Sequence, residues 1–163
     1  SLDAADSRAA ELGYWTGIAL EGQGKAQEAK AAFEQAAAVK TAAHRRPGQG
    51  GKTAAPPTPQ AFYQGLALRK LGRTAEAQAC FASLRKFGES ETRRLAASTA
   101  QPQNRRGTWI SPRERSANAR YLAGLGYLGL NQTAQAKAAF QQAMTASPDH
   151  VGARTAISPG GAQ

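Results

Sequence analysis

The stretch GLGYLGLNQTAQAKAAFQQA, from Gly124 to Ala143, places small, apolar and turn residues at intervals that occur twice more in the chain. Its marks are Gly124, Tyr127, Asn131, Ala136, Phe140 and Ala143. The same intervals hold for Gly65, Leu68, Gly72, Ala77, Phe81 and Leu84, and for Gly17, Leu20, Gly24, Ala29, Phe33 and Ala36. A pattern repeated with fixed internal spacing decides the architecture before any single residue does. The alanine, phenylalanine and final residue of each copy stand at i, i+4 and i+7, which is one face of a helix. Glycine or asparagine ahead of them takes the left-handed conformation that stops a preceding helix. Each copy therefore reads as helix, stop, helix, and the fold class is all-α, with three helix-turn-helix hairpins.

Local signals around the copies set the boundaries. Asp6 and Ser7 offer N-caps to the first helix, which carries Leu12, Tyr14, Trp15, Ile18 and Leu20. Hairpin 1 spans residues 7–43. Residues 44–57 form a basic linker in which Gly48, Gly50, Gly51, Pro56 and Pro57 cannot sustain a helix. Thr58 and Pro59 supply a cap and an N1 proline for hairpin 2, residues 58–91. Thr74 is expected to cap its second helix and Gly88 to end it. A basic insertion occupies 92–110, with a short helical turn at 95–100. Ser111-Pro112-Arg113-Glu114 predicts a capping box opening hairpin 3, residues 111–150. Thr133 is expected to cap the sixth helix, which turns Met144 inward. The tail, 151–163, begins a further short helix.

Composition narrows the function. The 163 residues carry 21 Lys and Arg against 11 Asp and Glu, a formal net charge of +10. That permits an anionic partner. The excess lies mainly between the repeats, at Arg45, Arg46 and Lys52 and at Arg93, Arg94, Arg105, Arg106, Arg113 and Arg115. One cysteine, Cys80, excludes an internal disulfide framework, and with only His44 and His150 beside it no structural zinc site is expected. No apolar run reaches the ~20 residues that span a bilayer, so no membrane partner is expected and the localisation expected is cytoplasmic. The chain begins at Ser1 rather than Met, so we expect a piece of a longer protein.

The recurring pattern resembles the tetratricopeptide repeat, and Pro148-Asp149-His150 is similar to that family's ending. The resemblance implies stacked hairpins in an α-α superhelix. Gly17 with Ala29, Gly65 with Ala77 and Gly124 with Ala136 would be the close-approach pairs, and Phe33, Phe81 and Phe140 would fill the gaps between hairpins. The period departs from the family's ~34 residues: Gly65 follows Gly17 by 48 positions and Gly124 follows Gly65 by 59. Each junction thus carries a long insertion. A looser likeness is to the C-terminal repeats of large bacterial multidomain proteins that carry a β-rich, carbohydrate-enzyme-like domain ahead of the repeats. It rests on Phe81 through Gly88-Glu89, Asn118-Ala119-Arg120-Tyr121 and His150-Val151-Gly152-Ala153.

In that family the first helix of each hairpin lines a groove. Carried over, Glu11, Tyr14, Ile18 and Glu21 would face it in copy one, Phe62, Leu66, Arg69 and Lys70 in copy two, and Asn118, Tyr121, Leu125 and Leu128 in copy three. Aromatics beside charges suit peptide capture. The family's carboxylate clamp takes Lys and Asn where Tyr14 and Ile18 stand, so no chaperone-tail binding is implied.

Other motifs carry less. Gly50-Gly51-Lys52-Thr53 imitates the end of a phosphate loop, but Arg46 stands where glycine is required and Pro56-Pro57 forbids the following helix. Cys80, beside Phe81, reads as a small core residue. No carboxylate pair is spaced for acid–base work, and neither histidine has a catalytic partner in view. Trp109 is expected to pack back over the hairpins. No cofactor, metal or catalytic residue is expected. The expectation is a non-enzymatic module for protein–protein or interdomain contact, with a protein or peptide partner of acidic character and self-association through the exposed terminal hairpin. The alternatives are binding of nucleic acid or acidic glycan by the arginine-rich insertions, and an accessory domain of a carbohydrate-active enzyme.

Overall fold

The computed structural model describes residues 8–39, 56–97 and 111–157. Among them the secondary structure is helix, with no strand: α1 (Ala9–Gly22), α2 (Ala26–Ala38), α3 (Gln60–Lys70), α4 (Thr74–Ala97), α5 (Pro112–Gly129), α6 (Thr133–Ala146) and α7 (Val151–Ile157). The chain divides into two compact units, Ser1–Leu84 and Arg85–Gln163. The caps expected from Asp6 and Ser7, the basic linker up to residue 55, the arginines and Trp109 of 98–110, and Gly50-Gly51-Lys52-Thr53 lie outside the described residues.

The three stops have one geometry. Gly24 and Gly72 have φ of 75°, and Asn131 has φ of 61°. After each, the next amide reaches back to the carbonyl five residues earlier. Lys25 donates to Leu20 at 3.0 Å, Arg73 to Leu68 at 2.9 Å and Gln132 to Tyr127 at 2.8 Å. The stop residues themselves donate to Glu21, Arg69 and Leu128. This paired closure satisfies carbonyls that a helix end leaves bare, and it requires a left-handed residue at the stop. The repeated Leu20, Leu68 and Tyr127 are thus the acceptors of the closing bond.

Within each hairpin the glycine makes room for the phenylalanine. A Cβ on Gly17 would lie 2.4 Å from the Phe33 ring, one on Gly65 2.5 Å from Phe81, and one on Gly124 2.4 Å from Phe140. The rings expected between hairpins therefore lie against the first helix of their own hairpin. Phe33, Phe81 and Phe140 are buried, as are Ala29, Ala77 and Ala136. Met144 is only half-buried.

Helix starts depart from the expected caps. Ser111 forms the capping box as read: the Glu114 amide donates to its hydroxyl at 3.1 Å, and its own amide donates to the Glu114 carboxylate at 2.9 Å. Thr58, Thr74 and Thr133 do not cap by side chain. Pro59 and Gln132 hold the N-cap positions of α3 and α6, and Thr74 and Thr133 are the first helical residues. The Thr74 hydroxyl donates back to the Gly72 carbonyl at 3.3 Å, so the closing turn has claimed it.

Gly88 does not stop its helix. It lies inside α4, which continues to Ala97 and takes in 95–97, the first residues of the turn expected at 95–100. The reason is packing in the second unit. A Cβ on Gly88 would lie 2.4 Å from the Ala119 carbonyl oxygen and 2.5 Å from the Ala123 amide nitrogen of α5. Glycine serves there as the point where two helix backbones approach. Beside it the Tyr127 hydroxyl donates to Glu89 at 2.5 Å, binding the same two helices.

Candidate functional site

In the first unit two glutamines one turn apart on α3 join hairpin 1 to the next helix. The Glu11 amide, free at the start of α1, donates to the Gln60 side-chain oxygen at 3.1 Å. The Gln64 amide donates to the carbonyls of Ala37, at 2.6 Å, and Val39, at 2.8 Å, at the end of α2. Gln64 is fully buried, the sole buried polar or charged side chain of the described core. Buried amides persist only when hydrogen-bonded, and these bonds meet orphan groups at both ends of the first hairpin. Neither residue stood out in the sequence, because glutamine at a helical position carries no signal of its own partner.

This docking sets α1 beside α3 and brings several of the expected groove residues together. Lys70 forms an ion pair with Glu21 at 2.6 Å, and its ammonium stands 6.0 Å from the Phe33 ring centroid. The Arg69 guanidinium stands 5.0 Å from that of Phe81. Tyr14, half-buried, feels Lys70, Glu21 and Arg69, and its ring approaches Phe33 and Tyr63 at 6.0 and 6.1 Å. Ile18 and Leu66 are also half-buried, so apolar surface remains beside the charged pair. Burial pushes the Tyr14 phenol above its ordinary value, as it does Tyr63, where the indole of Trp15 opposes the shift by a hydrogen bond. Both hydroxyls stay protonated near neutrality and act as hydrogen-bonding groups rather than bases. Burial, with Glu76 nearby, likewise raises the Cys80 thiol and keeps it a buried apolar group.

Two assignments change. Phe62 and Leu125 are 9% and 5% exposed, and so offer a partner almost no surface. Phe62 instead meets Phe81 and Tyr63, with ring centroids 5.8 and 5.6 Å apart.

In the second unit α7 covers what was expected to be groove. The Tyr121 ring lies 5.0 Å from that of His150 and 5.9 Å from Phe140. A Cβ on Gly152 would sit 2.7 Å from Tyr121. Asn118, though exposed, bonds His150 at 2.8 Å. Asn118 and Tyr121 thus already have an occupant.

The sequence leads us to expect an exposed terminal hairpin but does not name the residues of its apolar face. Leu12 is 51% and Trp15 47% exposed on α1. Moving each 48 positions along the chain gives Gln60 and Tyr63, which on α3 are the residues that meet hairpin 1. The repeat register itself was the signal that could have found them.

Among the described residues no three His, Cys, Asp or Glu side chains stand together as a metal site, and no helix is long and apolar enough to cross a membrane. No curated protein and no solved structure matches the chain. Residues 117–150 match one sequence profile of the tetratricopeptide repeat, and residues 11–38 and 61–90 match another. The matched segments make up more than half of the 163 residues and coincide with the three hairpins. The chain belongs to the tetratricopeptide repeat family.

Proposed function

We propose that the chain is a non-catalytic protein-interaction module, and that its first unit takes an extended peptide segment of acidic character across Tyr14, Ile18, Glu21, Leu66, Arg69 and Lys70. Tetratricopeptide repeats generally mediate protein–protein interaction. The observation that carries the assignment to this face is the meeting of α1 and α3 through Glu21 and Lys70, with half-buried Tyr14, Ile18 and Leu66 beside them. Aromatic and aliphatic surface supplies most of the affinity in such contacts, and flanking charges set specificity. Arg69 and Lys70 favour carboxylates over cationic side chains.

The test is a panel of immobilised extended peptides, acidic, neutral and basic, bound by the full chain. Ile18→Asp and Leu66→Asp should each weaken the tightest peptide at least tenfold, which corresponds to ~1.4 kcal/mol. Gln35→Asp, at an exposed position of α2, should leave it unchanged. Equal affinity in all three variants, each with wild-type helicity, would refute the face; preference for basic peptides would refute the acidic partner.

A further inference from the structure

The histidine that ends hairpin 3 is built into the start of the terminal helix. The Ala153 amide, third in α7, donates to His150 Nδ1 at 3.1 Å. That is the bond an N-cap side chain makes. Because Nδ1 accepts, the ring proton of the neutral form sits on Nε2, which faces Asn118 Oδ1 at 2.8 Å and donates to it. Both ring nitrogens are thus committed, one to α7 and one to α5. Tyr121 of α5 lies against the ring, and Gly152 of α7 rests on Tyr121.

We propose that His150 is a pH-sensitive latch: its neutral ring caps α7 and ties it to α5, and protonation frees α7 and uncovers Tyr121 and the adjoining face of hairpin 3.

A second proton must go to Nδ1, since Nε2 already carries one. The cap then becomes a donor pointed at the Ala153 donor, and a cation stands at the positive end of a helix. Seven residues cannot hold a helix without tertiary support. α7 draws that support from α6, against which it packs, and from α5 through His150 and Gly152; Ala153 is its buried residue, and Val151 is 74% exposed. The groups facing the ring are Asn118 and Tyr121 of α5 and the Ala153 amide of α7. The charged residues beside it in the chain, Asp149 and Arg154, are both exposed, and α6 ends in uncharged Thr145 and Ala146.

Burial also disfavours the charged ring and pulls His150 below its ordinary value of 6.5. A group depressed in the docked state binds its proton more readily in the released state. The stabilisation of docking is therefore complete above ~6.5, declines as the pH falls through that value, and is gone once the docked ring itself is protonated.

The experiment is a titration of the full, isotopically labelled chain by NMR from about pH 7.5 to about pH 4.5. The His150 ring signal is distinguished from that of His44 by a His44→Gln variant. Heteronuclear NOEs of residues 152–157 report the order of α7. We expect those NOEs to collapse in step with His150 protonation, with a midpoint below that of a free histidine, while the amides of Ala136–Ala143 stay rigid. In His150→Asn, which can cap without titrating, α7 should stay ordered throughout. An ordered α7 beside a fully protonated His150 would overturn the latch. So would the same loosening in His150→Asn, or a ring that takes no proton before the hairpin itself unfolds. The wild-type titration decides the matter even where the variant leaves α7 loose at neutral pH.

Discussion

Replacing Gly88 by alanine opposes two effects that differ in sign. Alanine in a helix interior is favoured over glycine by about 1 kcal/mol. Gly88 lies well inside the 24 residues of α4, so propensity alone makes Gly88→Ala stabilising. Packing says otherwise. The added methyl would lie 2.4 Å from the Ala119 oxygen, 2.5 Å from the Ala123 nitrogen and 2.7 Å from the Ala123 Cβ, where ordinary contact begins at 3.4 Å. Two of those three atoms belong to the α5 backbone and cannot rotate away. The helices must separate by about 1 Å, which also stretches the Tyr127–Glu89 bond. Overpacking of this kind costs about 1–3 kcal/mol, and a loosened hydrogen bond to a charged group adds about 1.5 kcal/mol or more. After subtracting the propensity gain we expect a net loss of about 1.5–3.5 kcal/mol. With a urea slope of about 2 kcal/mol/M, the midpoint followed by circular dichroism falls by about 1 M. Adding Ala123→Gly should not restore it, because that removes only the side-chain contact. Gly22→Ala, where nothing lies within 4 Å of the new methyl, serves as the control and should be neutral or slightly stabilising. A Gly88→Ala chain as stable as the wild type would refute the close crossing of α4 and α5.

Gln64→Leu should cost about 2–4 kcal/mol, since it strands the carbonyls of Ala37 and Val39 in the first unit; a thermal midpoint unchanged within error would show that those carbonyls find other partners. Gly124→Ala should destabilise by about 1–3 kcal/mol against the Phe140 ring, and Phe140→Leu in the same chain should recover part of that loss, which a double-mutant cycle in urea measures. At Asn131, with φ of 61°, glycine should be neutral or stabilising by up to about 1 kcal/mol and alanine destabilising by about 1 kcal/mol; the reverse order in chemical denaturation would remove the left-handed stop from the account.

How far the sequence speaks depends on whether a residue's role is local. Gly24, Gly72 and Asn131 act within one turn, so a left-handed stop could be read directly from residue type and spacing. Ser111 and Glu114 are three residues apart, and their reciprocal bonds are as local as a motif can be. The threonines misled because a hydroxyl can donate as well as accept, and Thr74 donates to the carbonyl behind it rather than accepting from the amides ahead. Gly88 misled for a different reason: the same missing Cβ that ends a helix also admits another backbone, and only the neighbour shows which is in use. Groove residues followed the same divide. Tyr14, Glu21, Arg69 and Lys70 meet because the register carries them together, whereas Phe62 and Leu125 have the right register and almost no exposed surface.

The sequence by itself therefore determined three helical hairpins and their turns, because helix periodicity and turn geometry depend on bonds between residues a few positions apart. Tertiary structure alone decided that Phe33, Phe81 and Phe140 lie over the glycines of their own hairpins. It alone decided that Gln60 and Gln64 bind the ends of a hairpin 25 to 49 residues earlier, and that α7 covers Tyr121 through His150. These contacts join side chains distant in sequence, and their partners are set by which surfaces meet, which no local spacing encodes.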